Sequence, residues 1–110
     1  MKIVDTINAG GAIHDLNMAL SFEGFEPRES FSLRGYRIVP LPYPHALVEE
    51  SGGLELLSKM FSRAATNAGF LVERGFNNNI DATIPVEDKQ LTVSYNPMAG
   101  SYHFLIGKRP

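Results

Sequence analysis

Residues 80–106, read IDATIPVEDKQLTVSYNPMAGSYHFLI, decide the fold of this chain. Ile80, Ala82, Ile84 and Val86 alternate with Asp81, Thr83 and Pro85, and after Glu87-Asp88-Lys89 the residues Leu91, Val93 and Tyr95 alternate with Gln90, Thr92 and Ser94. A period of two with one apolar row is the pattern of a half-buried strand. Asn96-Pro97-Met98-Ala99-Gly100 reads as a turn in which Pro97 suits the second position. Tyr102, Phe104 and Ile106 then form another inward row, with His103 on the opposite one. Three such strands joined by short turns make an antiparallel meander. Pro85 lacks an N–H, so its end of the first strand is an edge or an irregular stretch.

Upstream, Phe70-Leu71-Val72 reads as a short strand, closed by Gly75 and an Asn77-Asn78-Asn79 turn. Before it the period becomes helical. Leu54, Leu57, Phe61, Ala64 and Ala68 keep one face apolar over four turns, widened by Met60 and Ala65. Ser51 suits the N-cap, Gly69 the position past the C-terminus, and Glu55 and Lys59 an outer-face pair. At 1.5 Å per residue this helix spans about 24 Å, enough to cover one face of a small sheet.

Phe31, Leu33, Tyr36, Ile38 and Val39 suggest a further strand whose alternation slips at Gly35, as a β-bulge would allow. Pro40-Leu41-Pro42-Tyr43-Pro44 follows, an extended polyproline-like segment barred from a central ladder. Nearer the start, Phe22 to Pro27 is a loop, and Ile13, Leu16 and Leu20 mark a short helix from Ala12 to Ser21 with Asn17 interrupting its stripe. Gly10-Gly11 reads as a break, and Ile3, Val4 and Ile7 as a short strand before it. The expected fold class is therefore α+β: one domain over residues 1–110. Its mostly antiparallel sheet, ending in a three-stranded meander, is covered on one face by one long and one short helix.

Composition narrows the function. The chain has 110 residues, a formal net charge of -2, 44% hydrophobic residues, no Cys and no Trp. That is ordinary globular composition. A disulfide framework, a thiolate zinc site and a cysteine nucleophile are excluded. Near-neutral charge speaks against a phosphate-driven grip on nucleic acid. The sequence shows no signal-peptide pattern and no apolar run of membrane-span length, so a cytoplasmic protein away from membranes is expected.

The chemical motifs are sparse. Asn8-Ala9-Gly10-Gly11 before a helix could offer backbone N–H groups to a phosphate or other anion, with His14 nearby. It lacks the spacing of a dinucleotide fingerprint and the Lys-Ser/Thr of a P-loop. His14, His45 and His103 show no metal-ligand spacing, and no cofactor is indicated. Arg34, Tyr36 and Arg37 form the most basic short stretch and suit a protein hot spot. Leu41 and Tyr43, held between prolines, could dock in a partner's groove. The favoured reading of the same segment is a stiff crossover from strand to helix, with Leu41 and Tyr43 packed on the core. Phe22, Phe25, Phe31 and Tyr43 together would make an apolar patch suited to self-association.

The leading expectation is a non-enzymatic interaction module that binds a protein partner through Arg34, Tyr36, Arg37, Leu41 and Tyr43. It would be a small regulator, adaptor or inhibitor of the kind phages and mobile elements carry, with a homodimer as a further possibility. The second expectation is a small-molecule or nucleotide/anion binder using Asn8, Gly10, Gly11 and His14. A small enzyme with a histidine general base ranks third.

Overall fold

The computed structural model describes residues 3–27, 38–43 and 53–108. In order these form helix α1 (Ile3–Phe22), strand β1 (Ile38–Pro40), helix α2 (Gly53–Asn67), strand β2 (Leu71–Arg74), a 3₁₀ turn (Phe76–Asn78), and strands β3 (Ile80–Val86), β4 (Lys89–Asn96) and β5 (Ser101–Lys108). All five strands join one antiparallel sheet in the order β1-β5-β4-β3-β2. The α+β class and the meander β3-β4-β5 follow the alternation of residues 80–106.

The two short strands sit at the edges. Pro40 is tolerated in β1 because an edge strand can do without one N–H. β2 reaches only to Leu71, opposite Thr83, so Pro85 lies beyond its end and β3 has an open edge there. β1 and β2 run the same way at opposite margins, and the chain between them crosses the whole sheet. Four strand spacings make about 19 Å, which the 15 residues of α2, about 22 Å long, can bridge.

Residues 3–22 correct one expectation. No strand forms at Ile3, Val4 and Ile7, and Gly10-Gly11 is no break: a single helix of 20 residues runs through them. A glycine inside a helix costs about 1 kcal/mol relative to alanine. Burial on α1 outweighs that cost, because Ala9, Ile13, Leu16 and Leu20 form one fully buried stripe at spacings of four, three and four. Packing of an apolar stripe, more than local propensity, sustains most helices. The helix read as short is thus the longer of the two.

Both helices end in the same way. Gly24 (φ +103°) and Gly69 (φ +91°) adopt the left-handed conformation. The following phenylalanines, Phe25 and Phe70, donate their N–H back to the carbonyls of Leu20 and Ala65. This is the Schellman arrangement, and it turns each phenylalanine into the core. There Phe61 stacks on Tyr95 at 4.5 Å, and Phe25 meets Tyr95 edge-on at 5.8 Å. Buried side chains from α1, α2 and the inward rows of the sheet form one continuous cluster on one side of it.

Asn17, the interruption in the apolar stripe of α1, accepts a 2.8 Å hydrogen bond from the Tyr102 hydroxyl. Glu23, just past α1, receives a two-pronged bond from Arg63 of α2, Nε to Oε1 at 2.7 Å and Nη2 to Oε2 at 2.5 Å. The Arg63 guanidinium holds the Glu23 carboxyl below its usual pKa. The Glu55–Lys59 pair forms as expected, at 3.7 Å on the exposed face. Ser51, Phe31, Leu33 and the Gly35 bulge lie outside the described residues.

Candidate functional site on the uncovered face of the sheet

Helices cover one face of the sheet, and among the described residues nothing covers the other, which carries the outward row of every strand. Turn lengths fix which residues meet there. Glu87-Asp88 joins β3 to β4 with Val86 opposite Lys89, which places Asp81 opposite Ser94. Pro97 to Gly100 joins β4 to β5 with Asn96 opposite Ser101, which places Ser94 opposite His103. His103 in turn faces Ile38, and Asp81 faces Glu73. One row therefore crosses all five strands: Ile38, His103, Ser94, Asp81, Glu73. A parallel row runs Leu105, Thr92, Thr83, Leu71.

At one end of this face the surface dips into an open-sided cleft of about 450 Å³. Asp81, Ser94, Asn96, Ser101 and His103 line it, with Phe76, Asn79 and Ile38 at its sides. The Ser94 hydroxyl donates to Asp81 Oδ1 at 2.7 Å and fixes that carboxylate. The wall bearing Phe76 is shaped by left-handed backbone at Asn77 (φ 56°) and Asn78 (φ 66°), a conformation asparagine tolerates better than most residues. The buried Ser58 hydroxyl of α2 donates to the Asn78 carbonyl and ties that wall to the helix layer. Asn79 keeps a buried side-chain oxygen with no hydrogen-bond donor among the described residues.

Ile38 and Phe76 flank the polar floor, and Leu71 and Leu105 stand on the neighbouring outward row. Ile38 is 67% exposed, Leu71 70%, Phe76 90% and Leu105 44%. Isolated exposed hydrophobics are ordinary, but several gathered on one face mark a contact surface.

Asp81, Ser94 and His103 share a row, yet their order does not make a hydrolytic triad. Ser94 stands between the other two, so the carboxylate engages the hydroxyl and lies two strands, about 10 Å, from the imidazole. A triad needs the histidine between acid and nucleophile, with the carboxylate orienting the ring. Among the described residues no group of three or more His, Cys, Asp or Glu side chains is placed to hold a metal ion. Among them, too, no helix is long and apolar enough to cross a membrane.

The residues expected from the sequence fall in different places. Leu41 is 1% exposed and Val39 is buried with it, so Leu41 offers no surface to a partner and is corrected to a core residue. Tyr43 is half-buried, its ring against Phe25 at 5.2 Å. The described part of the proline segment is tied to the protein itself: the Leu41 N–H reaches the Gly100 carbonyl, and the Pro42 carbonyl accepts from the Glu26 N–H. Among the described members of the expected aromatic patch, Phe25 is core against Tyr43 while Phe22 is exposed on α1. Asn8, Gly10 and Gly11 lie within α1, where helical bonding engages their N–H groups. This corrects the anion-binding turn. His14 is exposed beside Asp15, Met18 and Phe22 in a shallow groove on the helix side, away from His103. Arg34, Tyr36, Arg37, His45 and Phe31 lie outside the described residues.

Sequence reasoning missed Asp81 and Ser94, which it took for ordinary strand residues. Turn lengths held the signal: a two-residue hairpin and a four-residue turn align positions 81, 94 and 103. Comparison with known proteins finds no family model, curated protein or solved structure that matches this chain.

Proposed function

We propose that this protein is a non-enzymatic interaction module, a small regulator, adaptor or inhibitor that binds a protein partner with the uncovered face of its sheet. The observation that carries this reading is the exposure of Ile38, Leu71, Phe76 and Leu105 on one face of the sheet, with Ile38 and Phe76 lining a polar cleft. Large apolar side chains rimming fixed polar groups are the usual make-up of a protein contact surface. Arg34, Tyr36 and Arg37 directly precede Ile38 in the chain, so the expected hot spot adjoins one wall of the cleft in sequence. Among the described residues the sheet edges are short, β1 with three residues including Pro40 and β2 with four ending in Glu73-Arg74, which does not favour self-association through an edge. Short, charged or proline-bearing edges resist strand pairing.

The test is comparative capture from a lysate of the source cell. Leu71→Lys with Leu105→Lys changes only exposed positions, so the fold and melting temperature should hold while the specific partner is lost. Met18→Lys on α1 should keep it. Capture unchanged by the sheet-face pair, or abolished by Met18→Lys alone, refutes this surface.

A further inference from the structure

We infer that the uncovered face pairs two copies of this chain, face to face, about a two-fold axis running along β4. This names an occupant for the surface proposed above and rests on that reading. β4 is the middle strand of the sheet. A half-turn about it therefore lays β3 of one copy over β5 of the other, and β2 over β1. The row that crosses all five strands is complementary to itself under that operation. Asp81 comes over His103 of the second copy, a contact that the symmetry makes twice. An imidazole gives an N–H to a carboxylate whether it is neutral or charged. Ser94, which holds one oxygen of the Asp81 carboxylate, lies on the axis, where a hydroxyl meets its own copy as donor and acceptor. Phe76 and Ile38 stand at opposite sides of the cleft, so the same half-turn brings the exposed ring of one copy toward the exposed Ile38 of the other. Glu73 falls at the rim, where its carboxylate stays in water.

The register selects this axis. A half-turn about a line across the strands would set His103 over Leu105 and Glu73 over Leu71, polar against apolar. The face is also large enough. Four strand spacings by the eight residues of β4 give about 500 Å² per copy. Two copies hide about 1,000 Å², the lower limit for a specific interface, so a dimer of micromolar to submillimolar affinity is expected. Sheets packed in this way keep their strands within about 30° of each other.

Sedimentation velocity between about 10 and 500 µM, a range set by that affinity, is the experiment. The parent should pass from monomer to dimer. His103→Asp sets carboxylate against carboxylate and Asp81→Lys sets ammonium against imidazole, so each should weaken association at least about tenfold. An equimolar mixture of the two variants should regain it, because the introduced lysine of one copy then faces the introduced aspartate of the other. A parent that stays monomeric, single variants that associate as the parent does, or a mixture no stronger than either variant alone would each overturn the inference. Independently of any substitution, isotope-filtered NOEs in a mixture of labelled and unlabelled parent should connect Phe76 of one copy with Ile38 of the other. Contacts between copies confined to α1 and α2 would overturn it. Lysate capture separates it from the broader reading. A monomeric parent whose captured partner is lost in Leu71→Lys with Leu105→Lys removes the dimer and keeps the docking face. If that pair of substitutions changes neither capture nor self-association, both fail.

Discussion

Replacing Tyr102 with phenylalanine should make two stability curves cross. The chain has four tyrosines and no tryptophan, and Tyr95 and Tyr102 are almost fully buried. Burial pushes the Tyr102 hydroxyl up to about 12, although its bond to Asn17 pulls the other way, and it raises Tyr95 further still. An unfolded tyrosine ionises near pH 10. Below that pH both states are neutral and the full stability is present. Above it the unfolded chain releases protons that the folded chain retains, so stability falls as pH rises. Each buried tyrosine removes about 1.4 kcal/mol per pH unit between 10 and 12, so the two together remove about 5 kcal/mol by pH 12. That is comparable to the whole stability of many domains, ~5–15 kcal/mol.

Tyr102→Phe loses the 2.8 Å bond to Asn17, worth ~1 kcal/mol net at neutral pH. It also removes half of the alkaline slope. The variant should therefore be less stable than the parent at pH 7 and more stable at pH 12, with the curves crossing near pH 11. Urea unfolding midpoints across that range, with tyrosinate absorbance followed in parallel, measure this directly. Parallel curves, or all four tyrosines ionising together near pH 10 in a chain that stays folded, would refute the burial assigned to Tyr102.

Other expectations follow from single positions. Gly11→Ala should stabilise by ~0.5–1 kcal/mol in urea unfolding, because Gly11 is exposed inside α1 and an added methyl meets nothing within 4 Å; destabilisation would restore the break read from the glycine pair. Gly24→Ala should cost more than about 1 kcal/mol by the same assay, since it strains a left-handed residue and brings the new carbon 3.0 Å from the Tyr43 ring. Asn77→Val should destabilise by ~1–2 kcal/mol while Asn77→Gly is close to neutral, reflecting the left-handed backbone there. On the acid side, the depressed Glu23 pKa means that its contribution is present above about pH 4.5 and is lost as pH falls through the lower folded value. Arg63→Ala should flatten that part of the acid profile.

The parts of the fold legible in the sequence were those in which local period and tertiary burial agree. The alternation from Ile80 to Ile106 and the stripe from Leu57 to Ala65 each point one way, and the structure follows them. At Gly10-Gly11 the two conflict. Local chemistry favours a break, but Ala9 on one side of the pair and Ile13 on the other are buried together on the same face, and packing prevails. Asn17 was visible as an anomaly, but its partner Tyr102 stands 85 positions away, a pairing no local pattern carries. The site was half legible. Turn lengths aligned Asp81, Ser94 and His103, whereas the Phe76 wall depends on left-handed asparagines and on Ser58 of a distant helix. Leu41 misled because an apolar residue between prolines suits a partner's groove as well as the protein's own core.

The claim that the uncovered sheet face is the working surface is tested most directly by amide NMR of the labelled protein mixed with the partner recovered by capture. The account predicts broadening or shifts at Ile38, Leu71, Phe76, Asp81, Ser94, His103 and Leu105, with His14, Met18, Glu55 and Lys59 on the helices unchanged. Effects confined to the helix residues, with the sheet face silent, would contradict it.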